Sequence, residues 1–327
     1  MSNWRNLLKF DPIPALLSSK DDALVFHVKN VLLHEETGSI TQLWHLPEAQ
    51  KILSKQRPDG SWKYPAKRQT STQNYDLVET WRQIRYLVDC YGFNLENPST
   101  RQATEYLFSC QTKDGDIRGF IANQYATYYT GAVLSLLIKA GYESDLRIEK
   151  GTNWLLTMRQ NDGGWSIPVI THNFDRRTMS ALTSTNAETV EPDRTKPFCH
   201  NATGMVIRAF AAHPGYRSSD AAKTATDLLK SRFFKPNYYS SYHAASHWIR
   251  FQYPFWWNNL VAALDSISQI DPTLDSQIEK AITWLIDNQQ SDGLWNDTYV
   301  QGLKVNDSKR PWVSLAICRI FKRLFPL

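Results

Sequence analysis

Long runs of like charge are missing from this sequence. It carries 37 Lys and Arg against 32 Asp and Glu, a net charge of +5, and the charges are scattered. A nucleic-acid partner would show a basic stripe or a known binding module, so that class of partner is set aside. Cysteine is scarce as well. Cys90, Cys110, Cys199 and Cys318 are widely spaced and form no Cys-x-x-Cys pair, which excludes zinc-ribbon and thioredoxin-type motifs and reads as reduced thiols in a cytoplasmic protein. The start, Met1-Ser-Asn-Trp-Arg, has no apolar signal-peptide core. No apolar run approaches the ~18 residues of a membrane span. With 14 glycines and 15 prolines, no biased segment points to disorder.

Apolar residues are plentiful, at 42%, and aromatics unusually so, with 12 Trp, 15 Tyr and 14 Phe. That supplies a large core for one domain spanning residues 1–327. An internal repeat organises it. Gln56-Arg-Pro-Asp59-Gly60-Ser-Trp62 recurs as Gln289-Gln-Ser-Asp292-Gly293-Leu-Trp295. It recurs with wear as Gln111-Thr-Lys-Asp114-Gly115-Asp-Ile117, and as Arg159-Gln160-Asn-Asp162-Gly163-Gly-Trp165 with Arg in place of the first Gln. Asp59, Asp114 and Asp162 are 55 and 48 residues apart, and Asp292 lies a further 130 on. The last gap predicts a degraded fifth copy near Phe234-Lys235-Pro236-Asn237-Tyr238.

An amphipathic helix precedes each copy. Between Asp275 and Gln290, Ile278, Ala281, Ile282, Leu285 and Ile286 share one face. A helix apolar on nearly all sides follows, such as Thr130–Ile138 or Trp256–Ile267, and such a helix is buried. Each repeat therefore reads as outer helix, Asp-Gly turn and inner helix, with Gln and Trp stitching the turn to the next repeat. Inner helices are expected near 22–34, 76–91, 126–140, 200–212, 254–269 and 311–324. Six helical hairpins predict an all-α (α/α)6 barrel, a closed toroid with a central cavity.

The Gln-x-x-Asp-Gly-x-Trp repeats resemble the QW motifs of squalene–hopene and oxidosqualene cyclases. The same toroid is seen in class II terpene cyclase domains and in the β subunits of protein prenyltransferases. The resemblance runs from about Leu43 to the C-terminus and implies an isoprenoid ligand or substrate. In class II cyclases the acid is an Asp-x-Asp-Asp motif followed by Thr, and its middle Asp protonates an alkene or epoxide. Here Asp76-Leu77-Val78-Glu79-Thr80 keeps the outer acids as Asp76 and Glu79 and places Val78 where the family holds its proton donor. Asp76 and Glu79 are the candidate catalytic acid or base; Asp76 is also placed to cap its helix, as is Asp21. A carboxylate on a buried inner helix is costly unless paired, which singles out Glu79. Prenyltransferase β subunits bind zinc through an Asp-x-Cys pair and a distant His. This chain has no such pair, and Cys199-His200, His243 and His247 read as core or hydrogen-bonded residues, so no metal or cofactor is expected.

The aromatics cluster at inner-helix starts: Trp81; Tyr125, Tyr128 and Tyr129; Phe251, Tyr253, Phe255, Trp256 and Trp257; and Trp312. With His200 they form the expected substrate-binding wall, because ring faces stabilise cations; a packed aromatic core explains them equally. Loops entering the inner helices carry Lys63, Lys67, Arg68, Lys235, Lys304, Lys309 and Arg310 against Asp297 and Asp307, a balance that ordinary surface scatter also explains. They predict a basic mouth suited to an isoprenoid diphosphate, with loop 166–198 as its lid. Three functions remain open: a terpene cyclase-like or prenyltransferase-like enzyme acting on a linear polyprenyl compound, a non-catalytic isoprenoid-binding toroid, and a carbohydrate-active (α/α)6 enzyme. The basic, apolar segments Trp4–Phe10 and Ile317–Phe325 either pack in the ring or touch a membrane surface.

Overall fold

The structure, a computed structural model, describes residues 4–65, 73–184, 187–240, 243–298 and 309–326. The helices pair in chain order, each outer helix leading to an inner one. The pairs begin with α1 (Ile13–Leu17) and α2 (Asp22–His27), α3 (Pro47–Leu53) and α4 (Tyr75–Tyr91), and α5 (Pro98–Ser109) and α6 (Thr127–Leu137). Then α7 (Leu146–Thr157) leads through the short α8 (Arg176–Leu182) to α9 (His200–Ala212), and the four-residue α10 (Pro214–Arg217) follows. The last pairs are α11 (Asp220–Ser231) with α12 (Leu260–Ile270) and α13 (Ser276–Asp287) with α14 (Arg310–Leu324). The architecture is all-α hairpins. One four-residue strand, β1 (Phe120–Asn123), is described. No helix among the described residues is long and apolar enough to cross a membrane.

The chain divides into two compact units: a continuous one, Ile40–Ala225, and a terminal one that joins Met1–Ser39 to Thr226–Leu327. In the continuous unit, α6 is buried along its whole length and α9 at every residue from His200 to Ala211. Their backbones approach closely because Gly131 lies between them; a Cβ there would stand 2.5 Å from Val206 Cα. In the terminal unit, α13 buries Ile278, Ala281, Ile282 and Leu285, and Asp275 caps it by accepting from the Gln277 and Ile278 amides. The C-terminal segment spends Ile317, Ile320 and Phe321 on this core, each with no exposure.

The repeated turns have one construction. Gln56 donates through Nε2 to Gly60 O (3.0 Å) and to Ser99 O at the head of α5 (2.9 Å). Gln111 does the same to Gly115 O and Arg147 O, and Gln289 to Gly293 O and Phe10 O. In the third turn the two bonds are shared: Arg159 Nε donates to Gly163 O, and Gln160 Nε2 reaches Asp193 O and Lys196 O. All four glycines have positive φ, from 85 to 116°, which side chains rarely adopt. The indoles of Trp62, Trp165 and Trp295 each donate to the carbonyl ten residues earlier, in the outer helix. A further bond was not foreseen. The backbone N–H at the Trp position donates to a hydroxyl on the inner helix: Trp62 to Thr80, Ile117 to Thr130, Trp165 to Thr203 and Trp295 to Ser314.

The turn after α11 is worn: Phe234 takes the positive φ, 59°, and the indole that donates to Lys235 O comes from Trp248, thirteen residues downstream. One expectation needs correction. The fifth inner helix starts at Leu260, not near 254. Asn259 holds an extended backbone and caps it, accepting from Ala262 N and donating to Arg250 O. The aromatic run from Phe251 to Trp257 is thus irregular chain rather than helix, paired instead with Thr298, whose hydroxyl accepts from Phe251 N while its amide donates to Phe251 O.

Candidate functional site

The helix α4 carries both singled-out acids. Asn74 caps it, accepting from Leu77 N. Asp76 uses both carboxylate oxygens: Oδ1 accepts from Tyr64 N (3.0 Å) and Oδ2 from Arg57 Nη2 (2.6 Å). Arg57 belongs to the first repeated turn, and the hydrogen bond to Asp76 raises its pKa, against the opposing effect of burial. The fourth turn mirrors this pair with the polarity reversed, Arg310 at the head of α14 gripping Asp292 at 2.9 and 3.0 Å. Asp76 is thus a latch between turn and helix. Glu79, one turn further, is 4% exposed. Its Oε1 accepts from the Gln83 amide, and its Oε2 lies 3.1 Å from Arg82 Nη1. Oε1 is therefore hydrogen-bonded, and Oε2 has an ion pair but no hydrogen bond.

The predicted aromatic residues fall into separate groups. In the continuous unit, Trp81 meets Tyr129 edge-on at 5.2 Å, and Tyr128 packs on Tyr129 at 4.4 Å. Phe120, which sequence reasoning passed over, stacks on Tyr129 at 4.0 Å with 7° between planes and meets Trp81 edge-on at 6.4 Å. The buried Arg85 lies over the Trp81 ring at 5.0 Å; burial pushes the pKa of its guanidinium down to about 10. Tyr125 leaves this group. It packs on Trp154 of the outer helix α7 and under Arg118. His200 is buried as the first residue of α9.

In the terminal unit, Tyr253 stacks on Trp312 at 5.7 Å and meets Phe255 edge-on. Trp312 donates to Asp21 Oδ2 at 2.8 Å, while Asp21 Oδ1 caps α2 by accepting from Leu24 N. His27 lies edge-on to Trp312. Phe251 turns instead toward Trp284 on the outer helix α13, and Trp256 and Trp257 are half-buried side by side.

Among the described residues no three His, Cys, Asp or Glu side chains gather as a metal site. Of the mouth charges, Lys67, Arg68 and Lys304 lie outside the described residues, Lys63 is exposed, and Arg310 is spent on Asp292. The described parts of the 166–198 segment are hydrogen-bonded to the β1 hairpin. Gln124, 1% exposed, donates to Leu182 O and Glu188 O and accepts from Val190 N.

Residues 74–192 match the family model of the squalene-hopene cyclase C-terminal domain. This segment is squalene–hopene cyclase-like. It holds Glu79 and the whole Trp81–Phe120–Tyr128–Tyr129 cluster. A squalene–hopene cyclase of Zymomonas mobilis is 28% identical to this chain over 98 residues, which is 30% of this chain and 15% of that enzyme. Among solved structures, a protein from Actinoplanes is 16% identical with a TM-score of 0.45, covering 87% of this chain and 86% of its own. A ligand-free variant of the type II terpene cyclase MstE from Scytonema is 13% identical with a TM-score of 0.45, over 87% and 85%. Another MstE variant, in complex with its substrate geranylgeranyl dihydroxybenzoate, is 11% identical with the same TM-score over the same shares.

Proposed function

We propose that residues 1–327 form one terpene cyclase-like toroid domain that takes a linear polyprenyl compound and transforms it against aromatic faces, with Glu79 as the working carboxylate. The supporting observation is the cluster of Trp81, Phe120, Tyr128 and Tyr129 within the segment that matches the cyclase family model; Glu79, two residues before Trp81, stands on a different face of α4. Ring faces attract cations by about 0.5–2 kcal/mol each, and Arg85 already rests on the Trp81 face. Glu79 Oε1 accepts from Gln83, and Oε2 faces Arg82 as an ion pair without a hydrogen bond. That arrangement suits a base or a counter-charge to a carbocation, not a proton donor. Asp76 is assigned to structure. No cofactor or metal enters this reading, and the partner is the isoprenoid itself.

A second reading, an isoprenoid-binding toroid without turnover, is favoured by Val78 at the donor position of the Asp-x-Asp-Asp pattern. The two separate in one experiment. Purified protein is incubated with linear isoprenoids, both diphosphates and hydrocarbons, and the extracts are analysed by gas chromatography–mass spectrometry beside the Glu79→Gln protein. A product made by the wild type and lost in Glu79→Gln supports the enzyme. Product at equal yield from both removes Glu79 from the chemistry. Tight binding of unchanged isoprenoid supports the carrier, and sugar turnover with no isoprenoid affinity overturns both.

A further inference from the structure

Phe120 reaches the aromatic cluster from a loop, whereas its partners stand on helices. It begins β1, in a tight hairpin closed by the bridges Gly119–Ala122 and Ile121–Gln124. The hairpin is held from three sides. Arg118 donates to both Asn123 O (2.9 Å) and Asn123 Oδ1 (3.0 Å), and is itself anchored on the fully buried Asp116 at 2.6 Å. Gly119 O accepts from Asn74 N at the head of α4, at 2.8 Å. Gln124 fastens the far end to the 182–190 segment. Ala122 is driven to a φ of +48° and Gly119 to +114°. A non-glycine residue kept at positive φ is a reason to ask what the strained conformation places.

What it places is a phenyl ring flat against Tyr129. Phe120 is 1% exposed and Tyr129 7%, so both rings are buried and Phe120 is the more completely enclosed. With the rings parallel at 4.0 Å, near van der Waals contact, Tyr129 cannot retreat. Trp81 meets both rings edge-on and locks the pair laterally.

We infer that Phe120 is a positioning residue that sets the length of polyprenyl chain this cluster accepts, by buttressing Tyr129; the inference rests on the isoprenoid reading above. Removing the phenyl ring leaves a space behind Tyr129 of about the bulk of one isoprene unit, and core side chains relax only partly into such spaces. Tyr129 then has room to yield to a longer chain.

The test compares dissociation constants for farnesol and geranylgeraniol, followed by tryptophan fluorescence, in the wild type, Phe120→Ala, Phe120→Leu and Leu155→Ala. Leu155 is fully buried on the outer helix α7 and controls for general loosening of the same unit. The ratio of the two constants should move toward geranylgeraniol by at least about tenfold in Phe120→Ala and about threefold in Phe120→Leu, the gain expected from burying a few more methylene groups. It should stay put in Leu155→Ala. If Phe120→Ala does not fold, Phe120→Leu decides alone. An unchanged ratio in the folded Phe120 variants, with the wild type binding both alcohols, overturns the role of Phe120 and leaves the isoprenoid reading standing. An equal shift in Leu155→Ala also overturns it. A wild type that binds neither alcohol sinks the isoprenoid reading itself and this inference with it.

Discussion

Replacing Thr203 by valine deletes one hydroxyl and keeps the shape of the side chain. That hydroxyl accepts from Trp165 N at 2.9 Å and lies 3.0 Å from Trp165 O. The carbonyl keeps a second partner, since Cys199 N also donates to it at 2.9 Å. The amide keeps none, and both residues are fully buried. A buried donor left without an acceptor costs about 1–3 kcal/mol. Thr203→Val should therefore lose about 2 kcal/mol, a fall in melting temperature of about 3 °C for a chain of this size. Equilibrium unfolding in urea, followed by circular dichroism, should show a lower midpoint at an unchanged slope. Thr203→Ser, which restores the acceptor, should recover most of the loss. A loss below about 0.5 kcal/mol, or a serine variant no better than valine, would refute the assignment of this hydroxyl as a turn latch. The reasoning extends to Thr80, whose hydroxyl takes the Trp62 amide at 3.0 Å. Thr80 follows the acid pair of α4, and its primary task on this account is structural.

Two further predictions concern the turns and the ion pairs. Gly60→Ala should cost roughly 3 kcal/mol or more, because its Cβ would fall 2.2 Å from the backbone oxygen of Gln102 at a φ of +85°. Gly163→Ala should cost roughly half that, since its nearest neighbours are the side-chain ends of Thr224 and Arg159; thermal unfolding of the two variants checks the order. Asp145 is held below the usual carboxylate range, chiefly by its hydrogen bond with Arg147. A carboxylate lowered on folding contributes stability that is present above its unfolded value and lost as pH falls through the folded one. The stability gap between wild type and Asp145→Asn, which keeps the cap on α7, should be full at pH 6 and shrink below about pH 4; a gap independent of pH would remove the ion pair from the account.

The fold was legible where its signals are local. Gln56, Gly60 and Trp62 sit within one short turn, so their pattern survives in the sequence, and the start of α9 at His200 follows from the apolar run behind it. The hydroxyl latches were hidden for the opposite reason. Thr130 and Thr203 lie 13 and 38 residues past their partners, because the intervening loops differ in length. The start of α12 was misread because aromatic residues crowd the stretch before Asn259, and apolar content alone does not distinguish a buried helix from irregular chain paired to Thr298. In the candidate site, Arg57 lay inside a repeat already recognised, and its charge three residues from the turn glycine was a signal that Asp76 had a structural partner. Phe120 follows the worn turn where Ile117 replaces Trp, and nothing in its spacing announces the hairpin that delivers it.

The bonds between Gln289 and Phe10 run in both directions, Phe10 N donating to Oε1 at 3.1 Å and Nε2 donating to Phe10 O at 2.8 Å. The last repeated turn thus meets the first segment of the sequence, and the terminal unit is assembled from the two extremes of the chain. This has a consequence for the order of events on the ribosome. The Ile40–Ala225 unit draws on consecutive residues and can form as soon as they emerge, whereas residues 1–39 wait for partners that follow residue 225. During that interval Leu16 and Leu24, which end fully buried, have no core to join. A chain reordered to begin at residue 40 and to carry residues 1–39 after the present end would make both units consecutive, and would remove the wait.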